Sequence, residues 1–179
     1  MKFLEEYKGF SLCVLDKETA EKYKDEILFL LKLIPKSDYK ISDIIGETKG
    51  ARVLYGKWKH SLILFDKDKV IGVLIAYERE KEENSLYSEN SFYINETAVH
   101  KDYQGYGIGK YLIGYFLENT KDFICLSGEK IFKIQTEDSI ENVKVINFYK
   151  SFGFSETGKK KYPEKYDLVM ELKKGYWCE

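Results

Sequence analysis

Hydrophobic and polar positions follow two alternating periods along this chain. Short runs rich in β-branched and aromatic residues predict strands at residues 10–15, 62–65, 70–77, 92–99, 130–136, 154–158 and 166–172. Apolar residues spaced three and four apart predict helices at residues 17–34, 38–45, 108–118 and 139–151. The order β-α-α-β-β-β-α-β-α-β-β predicts an α/β (α+β) fold, in which a mixed sheet of about seven strands is flanked by about four helices.

Residues that start and stop helices support this order. Asp16 and Ser139 are predicted N-caps, because their side-chain oxygens can accept hydrogen bonds from the free amides of a first helical turn. Gly153 stands where the last helix is expected to stop. Residues 66–69 predict a hairpin turn, and the polar stretch 78–90 predicts a surface loop.

Length and composition indicate the number of domains and one class of partner that is not expected. A chain of 179 residues with 44% hydrophobic residues predicts a single domain, residues 1–179, with a substantial core. Charged residues make up 33% but leave a formal net charge of −1. General nucleic-acid binding is therefore not expected.

Cysteine and histidine usage bears on metals and location. Cys13, Cys125 and Cys178 are scattered, and His60 and His100 are isolated in the sequence, so no metal site is expected. No stretch reads as a signal peptide, and no apolar run reaches the length of a membrane span. These features favour a cytoplasmic protein with no membrane association.

The most informative stretch runs from Gln104 to Lys110, between a predicted strand and a predicted helix. Its three glycines, Gly105, Gly107 and Gly109, stand at alternate positions. Glycine adopts unusual dihedrals without steric cost and leaves backbone N–H groups unshielded. The helix that follows adds its unpaired amides and the positive end of its dipole. The stretch predicts a phosphate-binding loop, although a tight packing turn has the same composition.

Two common phosphate loops do not fit this stretch. The dinucleotide pattern G-x-G-x-x-G fails because Lys110 or Leu112 occupies its last position. The Walker pattern fails because Tyr111 follows Gly109-Lys110 where serine or threonine is needed.

The loop resembles the acyl-coenzyme A loop of the GNAT N-acetyltransferases, Gln/Arg-x-x-Gly-x-Gly/Ala, with Gln104, Gly107 and Gly109 at its defining positions. A second stretch is similar to another GNAT motif: Asn142 and Tyr149 lie seven apart and are followed by residues 152–154, Phe-Gly-Phe. The two motifs occur in the family's order and separation. The resemblance implies a GNAT domain with a mostly antiparallel sheet, and an enzyme that takes acetyl-CoA as acetyl donor.

The resemblance also assigns the residues that would hold acetyl-CoA. The pyrophosphate would lie on the backbone amides of Gly105, Tyr106, Gly107, Ile108, Gly109 and Lys110, after Gln104. The backbone of Thr97, Ala98 and Val99 would hold the pantetheine arm and polarise the carbonyl. Asn142 would hydrogen-bond the cofactor, or else satisfy backbone groups near its own helix start.

Catalytic roles follow from the same resemblance. Tyr149 is the candidate acid, because a phenol with a pKa of about 10 can return a proton to the leaving thiolate; a buried core tyrosine is the competing interpretation. Glu96 is the candidate base, Glu137 is the alternative, and a neutral amine would need neither. We expect direct transfer in a ternary complex, since no residue resembles a covalent nucleophile.

The acceptor is the least determined part. A primary amine of a small molecule is the first hypothesis, and a protein N-terminus or lysine is the second. A non-catalytic acyl-CoA sensor is a third, which the presence of Tyr149 disfavours. The C-terminal aromatics Tyr176 and Trp177 would either dock on a partner subunit, in a homodimer, or fold back on their own chain.

Overall fold

The computed structural model describes residues 1–34, 40–45, 60–79, 91–120, 131–137, 143–162 and 165–173. The chain divides into two compact units. The first unit comprises Met1–Tyr77 and Ile94–Lys121, and the second comprises Glu78–Tyr93 and Asp122–Glu179.

The first unit holds a sheet in the order β1-β2-β3-β4-β5, in which β1–β2, β2–β3 and β3–β4 pair antiparallel. Its strands are β1 (Phe3–Tyr7), β2 (Phe10–Val14), β3 (Leu62–Asp66), β4 (Lys69–Arg79) and β5 (Ser91–Val99), of which residues 78–79 and 91–93 are assigned to the second unit. Its helices are α1 (Lys17–Lys22), α2 (Lys24–Leu31), α3 (Ile41–Ile45) and α4 (Ile108–Thr120), with a 3-10 turn at Lys101–Tyr103.

The second unit contains β6 (Ile131–Glu137), α5 (Val143–Lys150), β7 (Ser155–Tyr162) and β8 (Lys165–Lys173). Strand β8 lies between β6 and β7 and pairs antiparallel with both. The positive φ of Gly153, +88°, reverses the chain between α5 and β7, as the sequence predicts for a helix stop.

The expected element order differs from the structure at two points. The described residues contain eight strands and five α-helices, because β1 was not predicted and the segment 17–34 forms two helices. Strand β1 is an exposed edge strand with no apolar alternation. The helix breaks at Tyr23, whose ψ of +23° is not helical. The expected loop at 80–90 and the expected cap Ser139 lie outside the described residues.

The hydrophobic core of the first unit covers one face of its sheet with α1, α2 and α3. Fully or almost fully buried side chains from the sheet include Ile63, Phe65, Val73 and Ile75, which pack with helical residues such as Ile27 and Leu30. Ala98 of β5 belongs to this core, so the core fixes the strand that leads into the loop of residues 104–110.

Helix α4 approaches strand β4 at Gly72. A β-carbon at this glycine would lie 3.0 Å from Ile108 Cγ2 and 3.3 Å from Leu112 Cδ1, both in the first turns of the helix. The missing side chain therefore lets the start of α4 lie close to the sheet.

We expect Gly72→Ala to destabilise the protein by about 1–3 kcal/mol, because the added methyl group overpacks this contact. The free energy of unfolding in urea measures the loss. In a double variant with Ile108→Ala, the loss is expected to be smaller than the sum of the single losses, because Ile108 Cγ2 is then absent. If the two losses of unfolding free energy are additive, the predicted contact between position 72 and Ile108 is contradicted.

Asp16 caps α1 as predicted, and its side chain accepts a hydrogen bond from Thr19 N–H at 2.8 Å. Partial burial tends to raise the pKa of Asp16, but the hydrogen bonds from Thr19 outweigh it and lower the pKa. The ionised cap therefore adds stability above the unfolded pKa of about 4, and this stability is lost as the pH falls through the lower folded pKa.

We expect Asp16→Ala to lose about 1 kcal/mol of stability at neutral pH, and Asp16→Asn to lose much less, because asparagine also caps helices. Below about pH 4 the native protein should lose more stability than Asp16→Asn, which has no carboxylate to protonate. Urea unfolding at pH 7 and pH 3 tests both points. If the free energy of unfolding falls equally with pH in the native protein and in Asp16→Asn, the predicted effect of protonating Asp16 is contradicted.

Candidate active site

The loop before α4 has the backbone of an anion site. Gly105 and Gly107 both have positive φ, +87° and +82°, a conformation that L side chains rarely adopt. The first helical hydrogen bond runs from Tyr111 N–H to the carbonyl of Gly107 at 2.9 Å. The amides of residues 108–110 precede that bond and have no intrahelical acceptor. A β-carbon at Gly105 would meet nothing within 4 Å, so the loop is open on that side.

Strand β5 leads directly into this loop and is tied to it. The Gln104 side chain is exposed, and its Nε2 donates to the Val99 carbonyl at 3.2 Å. Ala98 is buried, whereas Thr97 and Val99 are half-buried. The Thr97 hydroxyl oxygen is buried and has no hydrogen-bond partner among the described residues. Gln104 therefore joins the loop to the strand end whose backbone, by the family resemblance, is expected to hold the pantetheine arm.

The connection between β5 and the loop is a 3-10 turn capped by His100, whose Nδ1 accepts from Asp102 N–H at 3.3 Å. Tyr103 in this turn donates its hydroxyl to Asp66 at 2.7 Å, and this hydrogen bond raises the pKa of Tyr103. These contacts attach the connection to the end of β3. His100 is thus part of the loop structure.

The β1–β2 hairpin also contacts the loop, which sequence reasoning missed. Lys8 Nζ donates to the carbonyl of Tyr106 at 3.2 Å. The rings of Tyr7 and Tyr111 stack with centroids 3.8 Å apart and planes 7° apart. Tyr111 also donates its hydroxyl to Glu5 at 2.6 Å, and burial together with this bond raises the pKa of Tyr111. Three residues of one short hairpin thereby hold the loop and the first turn of α4.

The candidate bases lie in different units. Glu96 is half-buried on β5, and Asn95 Nδ2 is 3.4 Å from its Oε1. Glu137 is the last residue of β6 in the second unit. Since Glu96 shares its strand with Thr97 and Val99, the first unit holds this carboxylate together with the candidate cofactor loop.

Tyr149, the candidate acid, lies on α5 in the second unit. It is 9% exposed, and its ring centroid lies 5.3 Å from that of Phe148 and 5.6 Å from that of Phe154, edge-on in both cases. Its carbonyl accepts from Phe152 N–H at 3.0 Å. The ring therefore packs as a core aromatic, and the catalytic role of the hydroxyl stays a prediction. Asn142, the other candidate from this motif, lies outside the described residues.

Residues 57–156 match the family model described as Acetyltransferase (GNAT) domain. The chain belongs to the GNAT acetyltransferase family. It is accordingly an acyltransferase, and GNAT enzymes use acetyl-CoA as the acetyl donor. A search of curated protein sequences found no match.

Solved structures share the GNAT fold with this chain at low sequence identity. Arabidopsis thaliana Naa50 in complex with the bisubstrate analogue CoA-Ac-MVNAL is 19% identical, with a TM-score of 0.63, and the match covers 92% of this chain and 98% of that one. The ribosomal-protein-S18-alanine N-acetyltransferase from Escherichia coli is 16% identical, with a TM-score of 0.63 and coverage of 92% and 93%. An aminoglycoside acetyltransferase from an uncultured soil metagenomic sample, in complex with sisomicin, is 18% identical, with a TM-score of 0.54 and coverage of 80% and 86%. The predicted GNAT-like α/β fold is confirmed.

The loop of this GNAT protein fits the phosphate-bearing end of a coenzyme A group. Positive φ at both glycines leaves backbone donors open, and the helix start adds a positive dipole end. A side chain at position 107 would place its β-carbon 3.2 Å from the Tyr7 hydroxyl, so this point admits only glycine without a shift. Within the described residues, no helix is long and apolar enough to cross a membrane.

Proposed function

We propose that this enzyme transfers an acetyl group from acetyl-CoA to a primary amine of a small molecule, by direct attack in a ternary complex. The loop of Gly105 and Gly107 at the start of α4 carries the proposal, because it presents open backbone donors to an anion. Acetyl-CoA, when bound, supplies an activated thioester carbonyl. We further propose that residues 1–179 act as one GNAT domain, located in the cytoplasm.

Different groups of the protein are proposed to bind different parts of acetyl-CoA. The amides of residues 105–110 bind the diphosphate, and the exposed Lys110 in the first turn of α4 adds a positive charge. The backbone of Thr97, Ala98 and Val99 at the end of β5 aligns the pantetheine arm and polarises the carbonyl. Asn142 hydrogen-bonds the cofactor in the same proposal.

Two side chains are proposed to move protons. Glu96, or alternatively Glu137, accepts a proton from the attacking ammonium, directly or through water. Tyr149 donates a proton to the leaving sulfur. Cys13, the free cysteine of the described residues, is buried, and burial raises its pKa. A thiol in that state is a poor nucleophile, so Cys13 is not a candidate for carrying an acyl-enzyme intermediate.

Protein N-termini are the second candidate acceptor class. The fold is shared with the Arabidopsis protein in complex with an analogue joining CoA to a peptide, and with the Escherichia coli enzyme named for a ribosomal-protein alanine. The aminoglycoside acetyltransferase shares the same fold, so a small amine remains the first hypothesis.

A calorimetric titration with acetyl-CoA, followed by an amine screen, tests the proposal. The screen compares small polyamines and aminoglycosides with peptides that carry a free α-amine, and with peptides whose single amine is a lysine side chain. Release of coenzyme A thiol reports turnover. Turnover with small amines supports the proposal, and turnover confined to peptides favours the second candidate. Saturable binding without any turnover would indicate an acyl-CoA sensor, and no binding by the folded protein would refute the function.

A further inference from the structure

The β1–β2 hairpin turns on a lysine in an uncommon backbone conformation. Its two central residues, Lys8 and Gly9, have φ of +54° and +83°, a pair typical of a type I′ turn. Asparagine or glycine normally fills the first of these positions, because other side chains are strained there. The family model begins at residue 57, so this hairpin lies outside the matched range.

The side chain of Lys8 contacts the loop at one defined atom. Its ammonium donates to the Tyr106 carbonyl at 3.2 Å and lies 5.2 Å from the Tyr7 ring centroid. Tyr7 in turn stacks on Tyr111 and places its hydroxyl against Gly107. Lys8 is therefore held beside the loop by its neighbour in the hairpin.

The contact fixes the direction of a particular amide. The described residues contain no cis peptide, so the peptide joining Tyr106 to Gly107 is trans and planar. In such a unit the carbonyl and the N–H point in opposite directions. The Tyr106 carbonyl faces Lys8, so the Gly107 N–H is directed away from the hairpin. A cation on the carbonyl also polarises the unit and strengthens that N–H as a donor.

We infer that Lys8 is a positioning residue for the diphosphate of acetyl-CoA, acting through the Tyr106–Gly107 peptide. The inference rests on the proposed function of the loop. Of the other charges near this point, Lys110 is exposed in the first turn of α4, and Glu5 is occupied by the Tyr111 hydroxyl. Lys8 thus supplies a cation at the carbonyl side of the loop, opposite the face that receives the ligand.

Lys8→Gly tests the inference, because glycine relieves the backbone strain while removing the ammonium. We expect its thermal stability to equal or exceed that of the native protein, and its affinity for coenzyme A to fall about tenfold, because the Gly107 N–H then becomes a weaker and less fixed donor to the diphosphate. Lys8→Asn, which also tolerates positive φ but is too short to reach Tyr106, should lose the same factor. Lys8→Arg should retain affinity.

The β3–β4 turn offers a matched control, because Lys67 has the same φ of +54° and is exposed. Lys67→Gly should gain the same backbone relief and leave affinity unchanged. Calorimetry with coenzyme A and 3′-dephospho-coenzyme A should show equal losses for Lys8→Gly. Native-like affinity of Lys8→Gly and Lys8→Asn would overturn the inference, as would a loss confined to coenzyme A, which would mean direct contact with the 3′-phosphate. If the native protein binds neither compound, the proposed function itself fails.

Discussion

A glutamate in place of Gly107 is expected to weaken acetyl-CoA binding at least a hundredfold. The residue has φ of +82°, and a β-carbon there would lie 3.2 Å from the Tyr7 hydroxyl. A side chain must therefore strain the backbone, by about 1–2 kcal/mol, and displace the hairpin. The added carboxylate also brings a negative charge into the loop that is proposed to bind the diphosphate, and this charge repels the anion. Calorimetric titration of the native and variant proteins measures the difference.

Gly105→Ala is the matched control for this substitution. Its φ of +87° imposes similar backbone strain, but a β-carbon at this position meets nothing within 4 Å and brings no charge. We expect a loss of affinity below about tenfold, because only the backbone term remains. Unchanged affinity in a folded Gly107→Glu protein would mean that the loop is a packing turn.

Removing the Tyr149 hydroxyl is expected to lower kcat at least a hundredfold while acetyl-CoA affinity stays unchanged. General acid catalysis typically contributes between 10² and 10⁴ in rate. Phenylalanine keeps the edge-on contacts with Phe148 and Phe154, so Tyr149→Phe should preserve the packing of α5. Steady-state turnover with the amine found in the screen gives kcat, and calorimetry gives the affinity.

Tyr77→Phe controls for the loss of a buried phenolic hydroxyl. Tyr77 is 7% exposed on β4, close to the 9% of Tyr149, and has no proposed role in the chemistry. Its variant should retain native kcat. Equal kcat in native protein and Tyr149→Phe would assign Tyr149 to the core alone, and a matching fall in both variants would attribute the effect to lost packing.

Most of the fold could be predicted from hydrophobic periodicity and capping residues. Strands β3 and β4 contain apolar runs, residues 62–65 and 70–77, that are buried on both faces, and Asp16 marks the start of α1. Strand β1 could not be predicted, because an exposed edge strand needs no apolar alternation. The break at Tyr23 depends on how α1 and α2 pack on the sheet, which local propensity does not encode.

The candidate site divides in the same way. That Gly105 and Gly107 can adopt positive φ could be predicted from the residue type, whereas the spacing does not distinguish them from Gly109, which lies in α4. The contacts of Lys8 and Tyr7 could not, because they join residues about a hundred positions apart through tertiary packing. The motif predicts a catalytic tyrosine at position 149, and the burial of Tyr149 is shared by core tyrosines and catalytic acids, so its role stays a prediction.

The bond between Glu5 and Tyr111 spans 106 positions, and this separation has a consequence during protein synthesis. At 5–20 residues per second, roughly 5 to 20 s pass on the ribosome between the making of its two partners. An isolated two-stranded hairpin is only marginally stable in water. During this time the nascent β1–β2 segment lacks the stabilising contacts of α4. The contacts that join the hairpin to the loop therefore form only after α4 has been made, although the hairpin was translated first.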